Sequence, residues 1–593
     1  MSVRASSVAA LSFVGLALIA AAAAIACGED RGEFDTSGNG FDAAQEAGDA
    51  GDCPFQCSID GRQVVRSCSG EVVETCSEEQ ACGAALCQEP CAAAAADQSS
   101  NGCEFYFQSP APFADAPDSC YATFIVNTST QPAEISLERD GKSLDISKAV
   151  FRPTSGSDRL TPQSGPIAPG DSVILFVSDH DPEKPMSGAH YAGCPSGVVP
   201  AVLSGLTSSS TGIGTSFHLK TSKPVSLVAM YPFGGATTFL PSATLLLPVV
   251  TWGKQHLIVN PWEGGEGMTT QIVASEDETE ITILPTHEIQ NGTGVKGAAA
   301  KVPATYRLGK GQHLQFVQSS DLSGSIVEST KPTTTFGGHL CANIPTTGGA
   351  CDSLDQQIPA FEQWGSEYVG VGYRPRTGNE HETMPYRIVA ARDGTRLDYD
   401  PVIPAGAPTE LSAGEVATFP AGTGDAFVVR TQDADHPIYV AAFMTGFEGG
   451  YFGSPSTGQW GDPEFVNVIP SRQYLNSYSF YADPSYPETS LVIVRAKTRG
   501  EFKDVWLECA GNLTDFKPIG TRGEYEFTRV DLARSGGPGQ KFGDKTCQNG
   551  LQKMKSDGPF TATVWGWGVA SSYAYPGGMA HRKLVTTPLP PVR

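Results

Sequence analysis

The sequence predicts an all-β protein built from tandem sandwich-like repeats. Three observations carry that expectation. Glycine (66) and proline (43) make up nearly a fifth of the 593 residues and charged residues only 18%, the balance of a turn-rich chain. After the N-terminal leader no apolar stripe of i, i+3, i+4, i+7 spacing appears, so long helices are not expected. A series of short strands around a hinge proline recurs at roughly 105 to 115 residues, a period large enough for a small β-sandwich.

The repeat is clearest in its second copy. Gln271 to Pro285 alternates apolar and polar residues through Thr279, Ile281 and Ile283 and ends on a proline, which cannot donate to a further ladder bond. Leu308 to Val317 adds a strand pair around a glycine turn, and Ser325 to Gly338 a last pair hinged at Pro332. The third copy runs through Ile388 to Leu397, Leu411 to Phe419 and His436 to Phe443. Ile272 to Ile388 is 116 residues and Lys331 to His436 is 105. The first copy is weaker, in Phe124 to Thr128, Ala133 to Leu137, Ile167 to Phe176 and Lys223 to Ala229. The fourth is the most worn: Leu491 to Val494, Asp504 to Leu507 and Pro559 to Trp565. Two arrangements fit this period, an extended row of sandwiches and a closed β-propeller with two blades per repeat. We expect the row.

The expected boundaries follow in chain order. Residues 1–26 read as an export signal, with Arg4 before an apolar run from Val8 to Ala26 and an abrupt polar shift after it. The signal resembles that of a bacterial lipoprotein, which implies lipid attachment at Cys27 and a membrane partner through that lipid; it departs from the pattern at Ala24, where leucine is preferred. Cysteine arithmetic agrees, because removing Cys27 from the 15 cysteines leaves 14, which can all pair in an oxidising compartment. Residues 27–52 are rich in Gly, Ala, Ser, Asp and Glu and are expected to form the anchor and an acidic tether.

Residues 53–102 form a cysteine module. With Cys103 it holds eight cysteines at spacings that lack paired C-x-x-C knuckles, so disulfides are expected rather than zinc, with 105 possible connectivities. The repeats are placed at 103–236, 237–345, 346–450 and 451–593, the last including the C-terminal tail. Sequence proximity suggests three further bridges: Cys120 with Cys194, Cys341 with Cys351, and Cys509 with Cys547.

Trp252 and Trp364 are 112 residues apart before equivalent strands, with Tyr474 in the corresponding place of the last copy. Repeated aromatics at such junctions are expected to be core plugs. Gly292 to Gly297 matches G-x-G-x-x-G, but Pro303 cuts short the helix that would present a dipole to a nucleotide. Asp179-His180-Asp181, Glu380-His381-Glu382, Glu276 to Glu278 and Arg392-Asp393-Gly394 could offer metal ligands, yet each reads as a solvated turn. No catalytic residue, metal site or cofactor is assigned. The net charge of −24 and pI near 4.8 argue against nucleic acid as a partner.

The chain resembles bacterial members of the IgGFc-binding protein N-terminal domain family. The resemblance rests on Pro195-Ser-Gly197, Pro232 to Gly235, Ser242 to Pro248 and Trp252-Gly253, then Ile272 to Asp277. It continues through Cys341 to Pro345, Cys351-Asp352, Gln357 to Pro359 and Trp364 to Val369. It covers roughly 103 to 580, while the leader, tether and cysteine module resemble those of secreted or surface proteins of myxobacteria. The family implies an extracellular, non-enzymatic binding or adhesion role. With the lipid anchor and the repeated sheets, the chain is expected on the outer membrane or cell surface, with an extracellular carbohydrate or protein as partner. Tyr451 and Trp460 are possible ligand contacts, since a planar ring in a long loop can stack on a sugar or peptide; a second reading is that Trp460 only pins its own loop. The alternative is an exported hydrolase of polysaccharide or protein, whose triad would have to be assembled from distant residues.

Overall fold

Prolines 224, 332, 437 and 559 each lie where a long strand crosses from one sheet to another. A computed structural model describes residues 53–592 apart from 114–117, 155–156, 158, 186–190, 205–207, 239, 266 and 379–380, so the leader, Cys27, the acidic tether and Glu380 lie outside the described residues. Three long strands run unbroken through the hinge: Phe217–Tyr231, Ile326–Ala342 and Gly550–Gly568. In the third unit the hinge at His436-Pro437 splits the strand into Phe427–Thr431 and Ile438–Met444. A proline donates no ladder bond, so pairing changes partner there.

Before the proline, the strand pairs with the entry strand of its unit and with a short inner strand. The entry strands are Gly102–Phe107, Gly253–Leu257, Glu367–Gly370 and Leu475–Ala482. The inner strands are Ile135–Arg139, Thr279–Leu284, Thr395–Asp400 and Val505–Leu507. After it, the strand pairs with Tyr121–Asn127, Met268–Ala274, Thr383–Ala390 or Glu488–Ala496 on one side. On the other side lie Ser242–Leu245, Asp352–Ile358, Glu464–Asn467 or Ser571–Pro576. The first, second and fourth units are therefore two sheets sharing one bent strand, the third is two sheets meeting at its hinge, and among the described residues the fold is all-β save for short 3-10 turns and one helix, Pro90–Asp97.

That last set of strands closes the molecule, and here the expected row gives way. Ser242–Leu245 lies beside Asp352–Ile358, which lies beside Glu464–Asn467, then Ser571–Pro576, and the fourth returns to the first. The units form a ring of four sandwiches around a filled axis, combining the sandwich expected for each unit with the closure of the rival arrangement. Gln356 sits on that axis. Its Nε2 faces the carbonyl oxygens of Ala243 at 2.8 Å, Phe465 at 3.1 Å and Ala574 at 3.1 Å, one from each of the other three units. A second layer repeats the device: Gln363 Nε2 donates to Thr251 O at 2.6 Å and Gln473 Nε2 to Gln363 O at 3.0 Å. The tail completes it, with His581 Nδ1 2.9 Å from Gln363 Oε1.

Trp252 and Trp364 are buried, and each indole donates to the carbonyl five residues back, Leu247 at 3.0 Å and Pro359 at 3.1 Å. Tyr474 is buried in the matching place. The cysteine module is held by Cys53–Cys68, Cys57–Cys82, Cys76–Cys87 and Cys91–Cys103, and the last ties the helix to the first entry strand. Cys120–Cys194, Cys341–Cys351 and Cys509–Cys547 lie within the repeats. The module rests on the ring through Gln131 Nε2 to Glu78 O at 2.7 Å and Arg499 Nη1 to Ser67 O at 3.2 Å.

Candidate functional site

In each unit the sheet that precedes the hinge turns one face away from its own core, and in three units that face is closed by built contacts. In the first, His218 lies between Glu104 (2.8 Å) and Glu138 (3.3 Å) with Tyr106 stacked on it at 4.0 Å. In the second, the C-terminal tail caps it, Leu589 N donating to Gln255 Oε1 at 2.9 Å and Val592 N to Glu328 Oε2 at 3.1 Å. In the third, Arg430 is buried between Glu367 and Glu524.

The fourth face is different. Ser477 pairs with Lys555, Lys555 with Trp506 and Trp506 with Asn512, a row across four adjacent strands. Strand alternation sends Tyr478, Met554, Val505 and Leu507 into the core and leaves the row outside. A groove of about 1190 Å³ lies over it, walled on the far side by Gln56, Ile59 and Asp60 of the cysteine module. Arg499, Lys503 and Lys553 also line it. Lys555 Nζ stands 5.3 Å from the centre of the Trp506 ring. The groove thus offers an aromatic plane, hydroxyl and amide groups and several cations on a rigid sheet, with the module as opposing wall. This combination suits holding a ligand.

The residues expected to touch a ligand are elsewhere. Tyr451 is a correction: it is buried at 6% exposure, edge-on to Trp262 at 6.1 Å, and the exposed ring of its loop is Phe452 at 71%. Trp460 is half-buried against the main core, and its backbone carbonyl accepts from Thr457 Oγ1 at 2.6 Å and Arg376 Nη1 at 3.1 Å. The reasoning from sequence missed Trp506 and Lys555. The signal was there, since Val505-Trp506-Leu507 and Lys553-Met554-Lys555 both alternate apolar with outward groups.

The acidic turns carry structural bonds. Asp179 accepts from Tyr191 Oη at 2.9 Å and from Cys194 N at 2.8 Å, and Glu382 pairs with Arg376 at 2.7 Å. Glu278 pairs with Arg307 at 3.0 Å. Among the described residues no group of three His, Cys, Asp or Glu side chains is placed to hold a metal ion. The carboxyl groups displaced furthest lie on the ring axis, outside the groove. Burial raises Asp462 to about 8 against the pull of Arg376. Burial, then the neighbouring Asp462 and Glu464, raises Asp352 well above the usual carboxylate range.

A family model described as IgGFc binding protein matches residues 242–566, from the first axial strand through most of the fourth long strand. The chain belongs to the IgGFc binding protein family. The matched span is more than half of the chain and includes Trp506, Lys553 and Lys555. No curated protein matches this IgGFc binding protein family member. Among the described residues no helix is long and apolar enough to cross a membrane.

Proposed function

We propose that this IgGFc binding protein family member is an exported surface protein, anchored through lipid at Cys27, that binds an extracellular protein or carbohydrate partner without chemical turnover. The observation that carries the reading is the fourth sheet face: three equivalent faces are filled by protein contacts, and this one meets open space under an opposing wall. Family membership supports a binding role, and the seven disulfides suit an oxidising exterior. Mobile loops that must close over substrate are not needed for such a role; a rigid row of side chains is enough.

The test is a protein and glycan array probed with the chain, followed by Trp506→Ala. The expected result is a retained fold with binding to the captured ligand weakened by roughly tenfold or more, the effect of removing an aromatic anchor. Binding indifferent to Trp506→Ala removes the groove from the reading. Conversion of any captured ligand, lost on replacing one acidic or serine side chain, replaces binding with catalysis.

A further inference from the structure

The groove gathers cations on the surface of an acidic molecule, interleaved with Asp60, Asp504 and Asp557, and two of its lysines alternate along one strand. The chain carries 64 acidic against 40 basic residues, yet Arg499, Lys503, Lys553 and Lys555 converge on this one groove. Lys503 is paired with Glu501 at 2.8 Å. Lys553 and Lys555 have no carboxylate partner among the described residues; Lys555 has only the Trp506 ring. The two lysines alternate on one face of a strand, their Cα positions roughly 6.6 Å apart along it, with the Lys553 ammonium beside Gly170 and that of Lys555 by Trp506. Two of the groove's acids are already engaged, Asp504 by Asn512 Nδ2 at 3.0 Å and Asp60 by Ser58 Oγ at 2.6 Å. Asp557 comes next on the same face and ends the cationic row.

We propose that the groove takes an extended acidic polypeptide segment of a partner protein, with carboxylates at alternate residues seated on Lys553 and Lys555. An extended chain repeats its side chains on one face at the same spacing as the lysines, which matches the two rows charge for charge. A neutral sugar is the poorer fit. It would leave the Lys553 and Lys555 ammonium groups without a counter-charge in the groove. The net negative charge of the whole chain disfavours an acidic ligand on most of its surface, which favours a site where cations gather.

The inference rests on the groove being the binding site and is tested separately from it. Fluorescence anisotropy of a labelled alternating Glu-Thr octapeptide against the full chain is the measurement, with alternating Lys-Thr peptide and polygalacturonate as comparisons. Binding of the acidic peptide alone is expected, weakened severalfold by raising salt from low to high concentration. Lys553→Glu with Lys555→Glu is expected to weaken it by roughly a hundredfold and the two Gln variants by less, since reversal adds repulsion to the lost attraction. Both lysines are outside the core, so an unchanged melting temperature separates lost binding from lost fold. No binding of the acidic peptide, equal binding of polygalacturonate, or affinity unchanged in the double variant each overturns the proposal. If the array ligand still depends on Trp506 in those cases, the groove keeps its role and only the ligand chemistry falls.

Discussion

Tyr368 and Tyr478 occupy the same place in successive units: each hydroxyl donates to the carbonyl of the residue after a hinge proline, Ile438 at 2.5 Å and Phe560 at 2.6 Å. Each also accepts from the backbone amide three residues earlier, from Gly365 N at 3.0 Å and Leu475 N at 2.9 Å. In the second unit His256 holds that position, its Nε2 3.1 Å from the hydroxyl of Thr333, again the residue after the proline. The side chain thus pins the strand where it leaves one sheet for the other. Replacing either tyrosine with phenylalanine strands a buried amide and carbonyl, so each variant should lose about 1 to 3 kcal/mol of stability. Urea titration of both single variants is the check, and loss in only one would break the equivalence of the two sites.

How far this was legible follows from what each residue does. The period, the hinge prolines and the paired tryptophans are written in residue types that have few other uses, and they announce the repeat. Closure is not so written. It depends on Gln356 and Gln363, two amides in a sequence of many, whose importance comes only from meeting carbonyls of units more than 100 residues away. The groove was hidden for a related reason. Trp506 lies in the most worn repeat, and its exposure results from what the other three units cover rather than from its own neighbours. The loop aromatics misled in the opposite sense, since Tyr451 in a glycine-rich loop looks exposed but turns in to Trp262.

Non-reducing peptide mapping of the oxidised chain should recover Cys120 with Cys194, Cys341 with Cys351 and Cys509 with Cys547, besides the four bridges of the module. Removing Cys120–Cys194, which spans 74 residues, should lower stability by about 2 to 4 kcal/mol through the freedom returned to the unfolded chain. Free thiols at these six positions would refute the pairing.

Stability should fall as pH rises above neutrality. Burial holds Asp462 at about 8 and raises Asp352 and Glu464 well above their usual range, so the fold binds protons that the unfolded chain releases near pH 4. Their contribution is full below the unfolded value and is lost as pH climbs through the folded one. Burial pushes His256, His313 and His339 down to about 4, which works in the opposite direction: their contribution is present above 6.5 and lost as pH falls toward 4. The two sets oppose each other in mild acid, and above 6.5 the carboxyl groups act alone. Thermal melts from pH 6.5 to 9 should show a declining midpoint, and Asp462→Asn should flatten it. A midpoint that rises over this window would falsify the assignment.

The mature N-terminus should be a lipid-modified Cys27, because residues 1–26 read as an export signal and setting Cys27 aside leaves an even number of cysteines. Mass spectrometry of the N-terminal peptide decides between this, simple cleavage at the same bond, and a retained leader.

The ring should depend on Gln356 out of proportion to its size. One amide NH2 faces three carbonyl oxygens from three other units, so its loss leaves a set of buried acceptors unserved at the point where all four units meet. Gln356→Leu should lower stability by about 2 to 4 kcal/mol, the cost of more than one unsatisfied buried group. Gln356→Glu should be worse at neutral pH, because a carboxylate cannot donate and would be turned toward three oxygens close to residues already rich in buried acid. Protonation restores a donor, and the Glu variant should therefore regain stability as pH falls toward 5, whereas the Leu variant should not. Denaturant titrations of the two variants at pH 5 and pH 7.5 separate the outcomes. If both variants match the parent chain, the axial bonds do not hold the ring closed, and closure must be assigned to the packing of the axial strands and the C-terminal tail instead.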